Sequence, residues 1–231
     1  MSTIPRHVAI IPDGNRRWAK DNGKSPLEGH AQGAEVLRLV MPHAADQGVE
    51  HVSIWGMSLD NFTKRGITEV TGLLALFRKE FKDLSVSEEI HSRQTRVNVF
   101  GRWREKFPLP VRSSVESAIN ATGHYSKHFL NFFLAYDGVD EMTQAITNML
   151  AEGVKDVTRE TVKQHLFTKD LPPVDLIIRT GGEPHLSAGF MMWDVTDSQL
   201  WFTQKLWPEF TTADFDEALG EYATRQRRKG A

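Results

Sequence analysis

Six short apolar runs punctuate this chain: His7 to Ile11, His51 to Trp55, Arg96 to Phe100, Leu130 to Tyr136, Asp175 to Arg179 and Leu200 to Phe202. Between them the apolar positions fall at helical spacing. Residues 31–47 carry Ala34, Val36, Leu37, Leu39, Val40 and Met41, and residues 70–84 carry Leu73, Leu74, Leu76, Phe77 and Phe81. Runs without polar alternation, separated by amphipathic helices, predict an α/β fold: a mostly parallel central sheet of about six strands with helices on both faces. Ligands of such sheets bind beyond the carboxyl ends of the strands, so the residues just after each run become the candidates.

Those residues form a coherent rim. Asp13, Gly14, Asn15 and Arg17 follow the first run, Ser58 and Asn61 the second, and Arg179, Thr180, Gly181, Gly182 and Glu183 the fifth. A strand that breaks at Pro12 into a Gly-containing turn and then a helix aims free N–H groups at one point, which suits a phosphate. There Asp13 can hold a divalent cation and Arg17 a second phosphate oxygen. Each member also has an ordinary explanation. The Asp13 turn can be a plain helix cap with solvated basic residues, and Ser58 and Asn61 can simply start the next helix.

Four stretches in order carry a resemblance. HVAIIPDGNRRWAK (residues 7–20) with Gly29-His30 and Gly33, SLDNFTK (58–64), DLIIRTGGE (175–183) and LWFTQKLWPEF (200–210) resemble the signature blocks of the cis-prenyltransferases, the family of undecaprenyl diphosphate synthase. RQRRKG (225–230) follows the last, so the resemblance spans nearly the whole chain. It implies an enzyme that joins isoprenoid diphosphates with Mg2+ on Asp13. Asn61 and Ser58 would act beside the reacting diphosphate. Gly14, Asn15, Arg16, Arg17, Trp18, His30, Phe62, Thr63, Lys64, Arg179, His185 and Ser187 would bind substrate. It also implies a homodimer whose tail completes the neighbour's site. Arg225, Arg227 and Arg228 then read either as a solvated last helical turn or, with Lys229 and Gly230, as a reach toward a diphosphate.

Composition narrows the picture. With 231 residues, 40% hydrophobic, the chain supports one sizeable domain over 1–231. The absence of cysteine excludes disulfides, thiolate zinc sites and a Cys nucleophile, and fits a reducing cytoplasm. The charge of -2, from 28 Lys+Arg against 30 Asp+Glu, gives no support for nucleic-acid binding. No apolar run is long enough for an integral membrane segment, so a soluble, cytoplasmic enzyme is expected. The aromatic cluster from Trp193 to Phe210 suggests an assembly surface or dense core packing.

Departures from the family pattern point to the second substrate. Chain-elongating members carry Arg thirteen residues after the motif Asp, and here that position is Pro26. Another Arg has become His185, the Arg of the second motif is Lys64, and a metal-holding Glu is Gln199. One extra residue lies in Ser187 to Phe190. Lys cannot reproduce the bidentate fork of Arg, and Gln is a poorer ligand for a hard cation. The pattern therefore resembles irregular members that join two molecules of dimethylallyl diphosphate into branched lavandulyl or cyclolavandulyl skeletons. A later proton transfer by the released diphosphate, His185 or Asp197 would decide between open and ring forms. Three alternatives stand beside it: regular elongation with isopentenyl diphosphate, a non-catalytic partner subunit, and an unrelated nucleotide-binding α/β protein. For the hydrocarbon, Leu37, Met41, Leu74 and Phe77 could line a tunnel or simply pack the core.

Overall fold

A computed structural model describes residues 4–225; Arg227, Arg228, Lys229 and Gly230 lie outside the described residues. The chain runs β1 (His7–Ile11), α1 (Asn15–Asp21), α2 (Pro26–Asp46), β2 (His51–Ser58), α3 (Leu59–Lys64), α4 (Ile67–Leu84), α5 (Glu88–Ser92), β3 (Thr95–Phe100) and α6 (Trp103–Lys106). It continues through α7 (Leu109–Thr122), β4 (His128–Tyr136), α8 (Gly138–Ala151), α9 (Arg159–His165), β5 (Leu176–Arg179), β6 (Gln199–Phe202) and α10 (Thr212–Thr224).

The strands form one sheet in the order β3-β4-β2-β1-β5-β6. Every pairing is parallel. Full burial of β1 follows from helices covering both faces of its continuous apolar run. One face, with Val8, Ile10, Ile54, Leu130 and Ile178, packs against Val36 and Val40 of α2, Leu73 and Phe81 of α4, Val115 of α7 and Phe215 of α10. The other, with Ala9, Ile11, Trp55, Phe133 and Ile177, packs against Leu171, Val174, Phe190 and Met191. Trp201, Trp207 and Phe210 are core residues, so packing absorbs most of the C-terminal aromatic cluster. Leu200, on the edge strand β6, remains 40% exposed.

Two local features differ from the expected bounds. Helix α2 starts at Pro26 because Ser25 and Glu28 form a reciprocal capping box and Pro is well placed in the first turn. Strand β2 continues past Trp55 to Ser58 through an irregularity at Gly56, where the register with β4 shifts.

A row of polar side chains crosses the second face. His7 Nε2 lies 2.7 Å from Ser53 Oγ, which accepts from Asn131 Nδ2 at 3.2 Å, and Asn131 Oδ1 accepts from Asn98 Nδ2 at 2.9 Å. His7 Nδ1 lies 2.9 Å from the carbonyl of Pro172. Burial, which disfavours the imidazolium, lowers the His7 pKa from 6.5 to about 4. The folded state therefore binds fewer protons than the unfolded state between those values. Stability from this group is complete above pH 6.5 and is lost as the pH falls toward 4, by about 3 kcal/mol. Urea unfolding at pH 7 and pH 4.5 should show that loss, with the His7 ring titrating near 4 by NMR; a ring titrating near 6.5 would contradict it.

Candidate active site

The pairing of Ile11 with Arg179 brings the turns after β1 and β5 side by side. Asp13 stands between two guanidinium groups: Oδ2 accepts from Arg179 Nη2 at 2.9 Å, and Oδ1 lies 3.2 Å from Arg17 Nη2. Its backbone carbonyl accepts from Thr180 Oγ1 at 2.7 Å and from the Trp207 N–H at 2.9 Å, which fixes the turn. Arg17 Nη1 also donates to the Gly181 carbonyl at 2.8 Å. Gly181 has φ +85°, and a Cβ there would meet Arg17 Nη2 at 2.4 Å, so only glycine allows this close approach.

Arg179 is almost wholly buried, 3% exposed at its side chain, and lies behind Asp13. Its Nη1 donates to the His185 carbonyl at 2.5 Å and to Ser187 Oγ at 2.7 Å, while its Nε is buried without a partner. It therefore orients Asp13 and the 185–187 turn together. That turn leads into Ala188 and Met191 in left-handed conformation, where the extra residue was expected. The turn is held from below. Tyr136 Oη accepts from the Met191 N–H at 3.2 Å and donates to Glu141 Oε2 at 2.6 Å, and burial raises the pKa of both groups.

Below this rim opens a cavity of about 1020 Å3 between the first face of the sheet and helices α2 and α4. Asp13, Gly14, Asn15, Arg16, Arg17, His30, Ser58, Asn61, Arg65 and Ser187 line its polar part. Leu37, Met41, Ile54, Leu73, Phe77, Phe81, Leu84, Leu130 and Phe132 line its apolar part. Leu74 packs on the core without reaching the cavity. Its volume is at the upper end of the roughly 300–1,000 Å3 of ordinary small-molecule sites.

Some expected contributors serve the scaffold. Ser58 Oγ accepts from the Asn61 N–H at 2.9 Å, which makes it the cap of α3 as well as a wall of the cavity. Asn15 donates to the Pro12 carbonyl at 3.3 Å, with its oxygen pressed against Gly33 on α2. Helix α1 spans only seven residues, so full guanidinium charges dominate over its half-unit dipole end in the field at the rim.

Other expected residues lie outside the cavity. Trp18 sits beneath Lys24, Phe62 stacks on Phe107 at 5.9 Å, and Thr63 bonds back to its own helix. Lys64, 75% exposed, pairs with Asp60 one turn earlier. His185 is over half exposed, beside Glu183 and Ser187. Asp194, an acid one residue after Trp193, is buried in an ion pair with Lys163 at 2.5 Å. Gln199 pairs in register with Leu176, at the opposite end of the sheet from Arg179, so within one chain it cannot reach Asp13. Pro26, the first residue of α2, does line the cavity but brings no charge to it. Arg65 was not anticipated, and the only signal for it is its place one residue after Lys64.

Among the described residues no group of three or more His, Cys, Asp or Glu could hold a metal alone. The site nevertheless fits Mg2+, which is commonly bound through one or two carboxylates and the oxygens of a substrate phosphate. Asp13, one-third exposed at the rim, can supply such a carboxylate.

Fold and cavity define a class of parallel α/β proteins with charged groups at the strand ends above an apolar space between sheet and helices. Comparison with known proteins narrows it. The Prenyltransf family model, that of undecaprenyl diphosphate synthase, matches residues 11–230. A tritrans,polycis-undecaprenyl-diphosphate synthase (geranylgeranyl-diphosphate specific) of Pyrococcus furiosus is 38% identical, over 98% of this chain and 87% of its own length. An isoprenyl transferase of Chlamydia trachomatis is 35% identical, over 99% and 92%. Among solved structures, lavandulyl diphosphate synthase from Lavandula x intermedia in complex with dimethylallyl diphosphate superposes with a TM-score of 0.92 at 30% identity, covering 99% of both chains. The chain belongs to the cis-prenyltransferase (undecaprenyl diphosphate synthase) family. No described helix is long and apolar enough to cross a membrane.

Proposed function

We propose that this enzyme is an irregular prenyl diphosphate synthase that joins two molecules of dimethylallyl diphosphate into a branched C10 diphosphate, which it then closes to a cyclolavandulyl skeleton. One observation carries the reading. At two positions where chain-elongating members present Arg, this chain has Pro26 and His185, and neither brings a cation into the cavity. A site that has lost those anion contacts is rebuilt for a different second substrate. The likeness to lavandulyl diphosphate synthase, itself in complex with dimethylallyl diphosphate, supports the same reading.

In the reaction, the C1–O bond of one dimethylallyl diphosphate breaks and the diphosphate leaves with the bonding electrons. Arg17 and Arg16 receive the growing negative charge, and Arg179 keeps Asp13 in place. Mg2+, when bound through Asp13, would neutralise further charge on the leaving diphosphate. The apolar wall of Leu37, Ile54 and Phe77 keeps water from the allylic cation. The double bond of the second dimethylallyl diphosphate attacks C1, forming the new carbon–carbon bond and a tertiary cation that loses a proton to give the open skeleton. Return of that proton to the remaining prenyl double bond, attack of the new isopropenyl group on the resulting cation and a second loss of a proton give the ring. His185 and Asp197 do not line the cavity, which favours the released diphosphate as the proton acceptor.

A second reading has its own support. A cavity of about 1020 Å3 has room for more than two five-carbon units, and the curated relatives include polyprenyl synthases. Regular elongation with isopentenyl diphosphate is therefore the alternative. A coupled assay of diphosphate release separates the two: steady release from dimethylallyl diphosphate alone supports irregular coupling, and release that requires isopentenyl diphosphate supports elongation. A homodimer through the open edge of β6, where Leu200 is exposed, belongs to the same proposal and is tested by sedimentation velocity.

A further inference from the structure

We infer that Arg65, one residue beyond the position to which the family motif assigns a cation, is the side chain that grips the diphosphate of the allylic substrate at the cavity mouth, with Glu69 as its resting counter-charge. The inference rests on reading the cavity as a prenyl diphosphate site.

Local backbone decides which of two adjacent cations reaches the mouth. Helix α3 ends at Lys64, whose Nζ is held on the outer surface by Asp60 Oδ2 at 2.7 Å. Arg65 follows in extended conformation, φ -76° and ψ 154°, which takes its side chain off the helix surface. It turns instead toward His30 on α2 and Glu69 in the first turn of α4. Its side chain is only 17% exposed and lines the cavity that Lys64 does not.

The cluster around Arg65 is short of negative charge. Glu69 Oε1 accepts from Arg65 Nη1 at 3.0 Å and lies 3.8 Å from Arg16 Nε. One carboxylate thus faces two guanidinium groups. His30 Nε2, 3.4 Å from Arg65 Nη1, adds no charge, because burial and the neighbouring Arg65 lower its pKa to about 4. Arg65 Nε is buried with no partner at all. Two guanidinium groups at the cavity mouth facing one carboxylate leave uncompensated positive charge, which a diphosphate neutralises. Arg16 precedes Arg17 on α1, so this cluster and Asp13 bound the same mouth from two sides. The fork that seems lost at Lys64 is present one position later.

Calorimetric titration with inorganic pyrophosphate and with dimethylallyl diphosphate, each with Mg2+, tests this. Arg65→Gln is expected to weaken both by about tenfold or more, the size of one charge-assisted contact, while Lys64→Gln changes them less than about twofold. Arg65→Lys, which keeps the charge near Glu69, should fall between and carries the test if the Gln variant unfolds by circular dichroism. Wild-type affinity in both Arg65 variants, or a larger loss in Lys64→Gln, would overturn the inference and leave the cavity reading intact. Failure of the wild-type enzyme to bind either compound would overturn both.

Discussion

Asp13→Ala is expected to lower turnover by about a thousandfold, with Asp13→Asn losing nearly as much although it keeps the shape of the side chain. Of the carboxylates that line the cavity, Asp13, Asp60, Glu80 and Glu89, Asp13 is the one that stands between Arg17 and Arg179. Its negative charge, rather than its bulk, is the property assigned a role. The Ala change should also cost some stability, because it leaves the Arg179 guanidinium, 3% exposed, without its nearest carboxylate, but the turn itself should hold. The carbonyl that anchors Thr180 and Trp207 is untouched, and Arg179 keeps its bonds to His185 and Ser187. Steady-state rates with an unfolding curve check this directly. Rates within tenfold of wild type in both variants would remove Asp13 from the chemistry.

Arg179→Met should cost both activity and stability. Removing a guanidinium that is 3% exposed strands Ser187 Oγ, the His185 carbonyl and one oxygen of Asp13. Buried pairs broken on one side cost roughly 3–5 kcal/mol, and the one-third exposure of Asp13 brings the expected value to about 2–3 kcal/mol. Turnover should fall about a hundredfold, because Asp13 and the 185–187 turn lose their common support and small misplacements of reacting groups are costly. The loss should appear in kcat rather than in KM, since Arg179 lies behind Asp13 and outside the cavity. An unchanged kcat with a raised KM would place Arg179 on substrate instead.

Much of the fold was legible because burial on both faces makes each parallel strand a continuous apolar run. Strand β1 was read with its observed bounds, His7 to Ile11. The ends missed were those set by local devices, such as the Ser25–Glu28 capping box that moves the start of α2 back to Pro26. Along the rim, the strand ends gave Asp13, Arg17, Ser58 and Asn61 as neighbours of one cavity. Side-chain direction was not legible. Lys64 and Arg65 are adjacent cations, and only the extended backbone after α3 sends one outward and the other inward. The resemblance puts Gln199 where the family has a metal-holding Glu and leaves open whether Gln199 takes part; its register with Leu176 puts it at the far end of the sheet. Spacing along the sequence does not reveal at which end of a strand a residue will lie.

The most direct test of irregular coupling is product analysis by gas chromatography and mass spectrometry, after phosphatase treatment, of the enzyme incubated with Mg2+ and dimethylallyl diphosphate alone. A branched or cyclised C10 alcohol is the predicted result. Products that form only when isopentenyl diphosphate is added, and that are linear, would contradict it and make this chain an ordinary elongating enzyme.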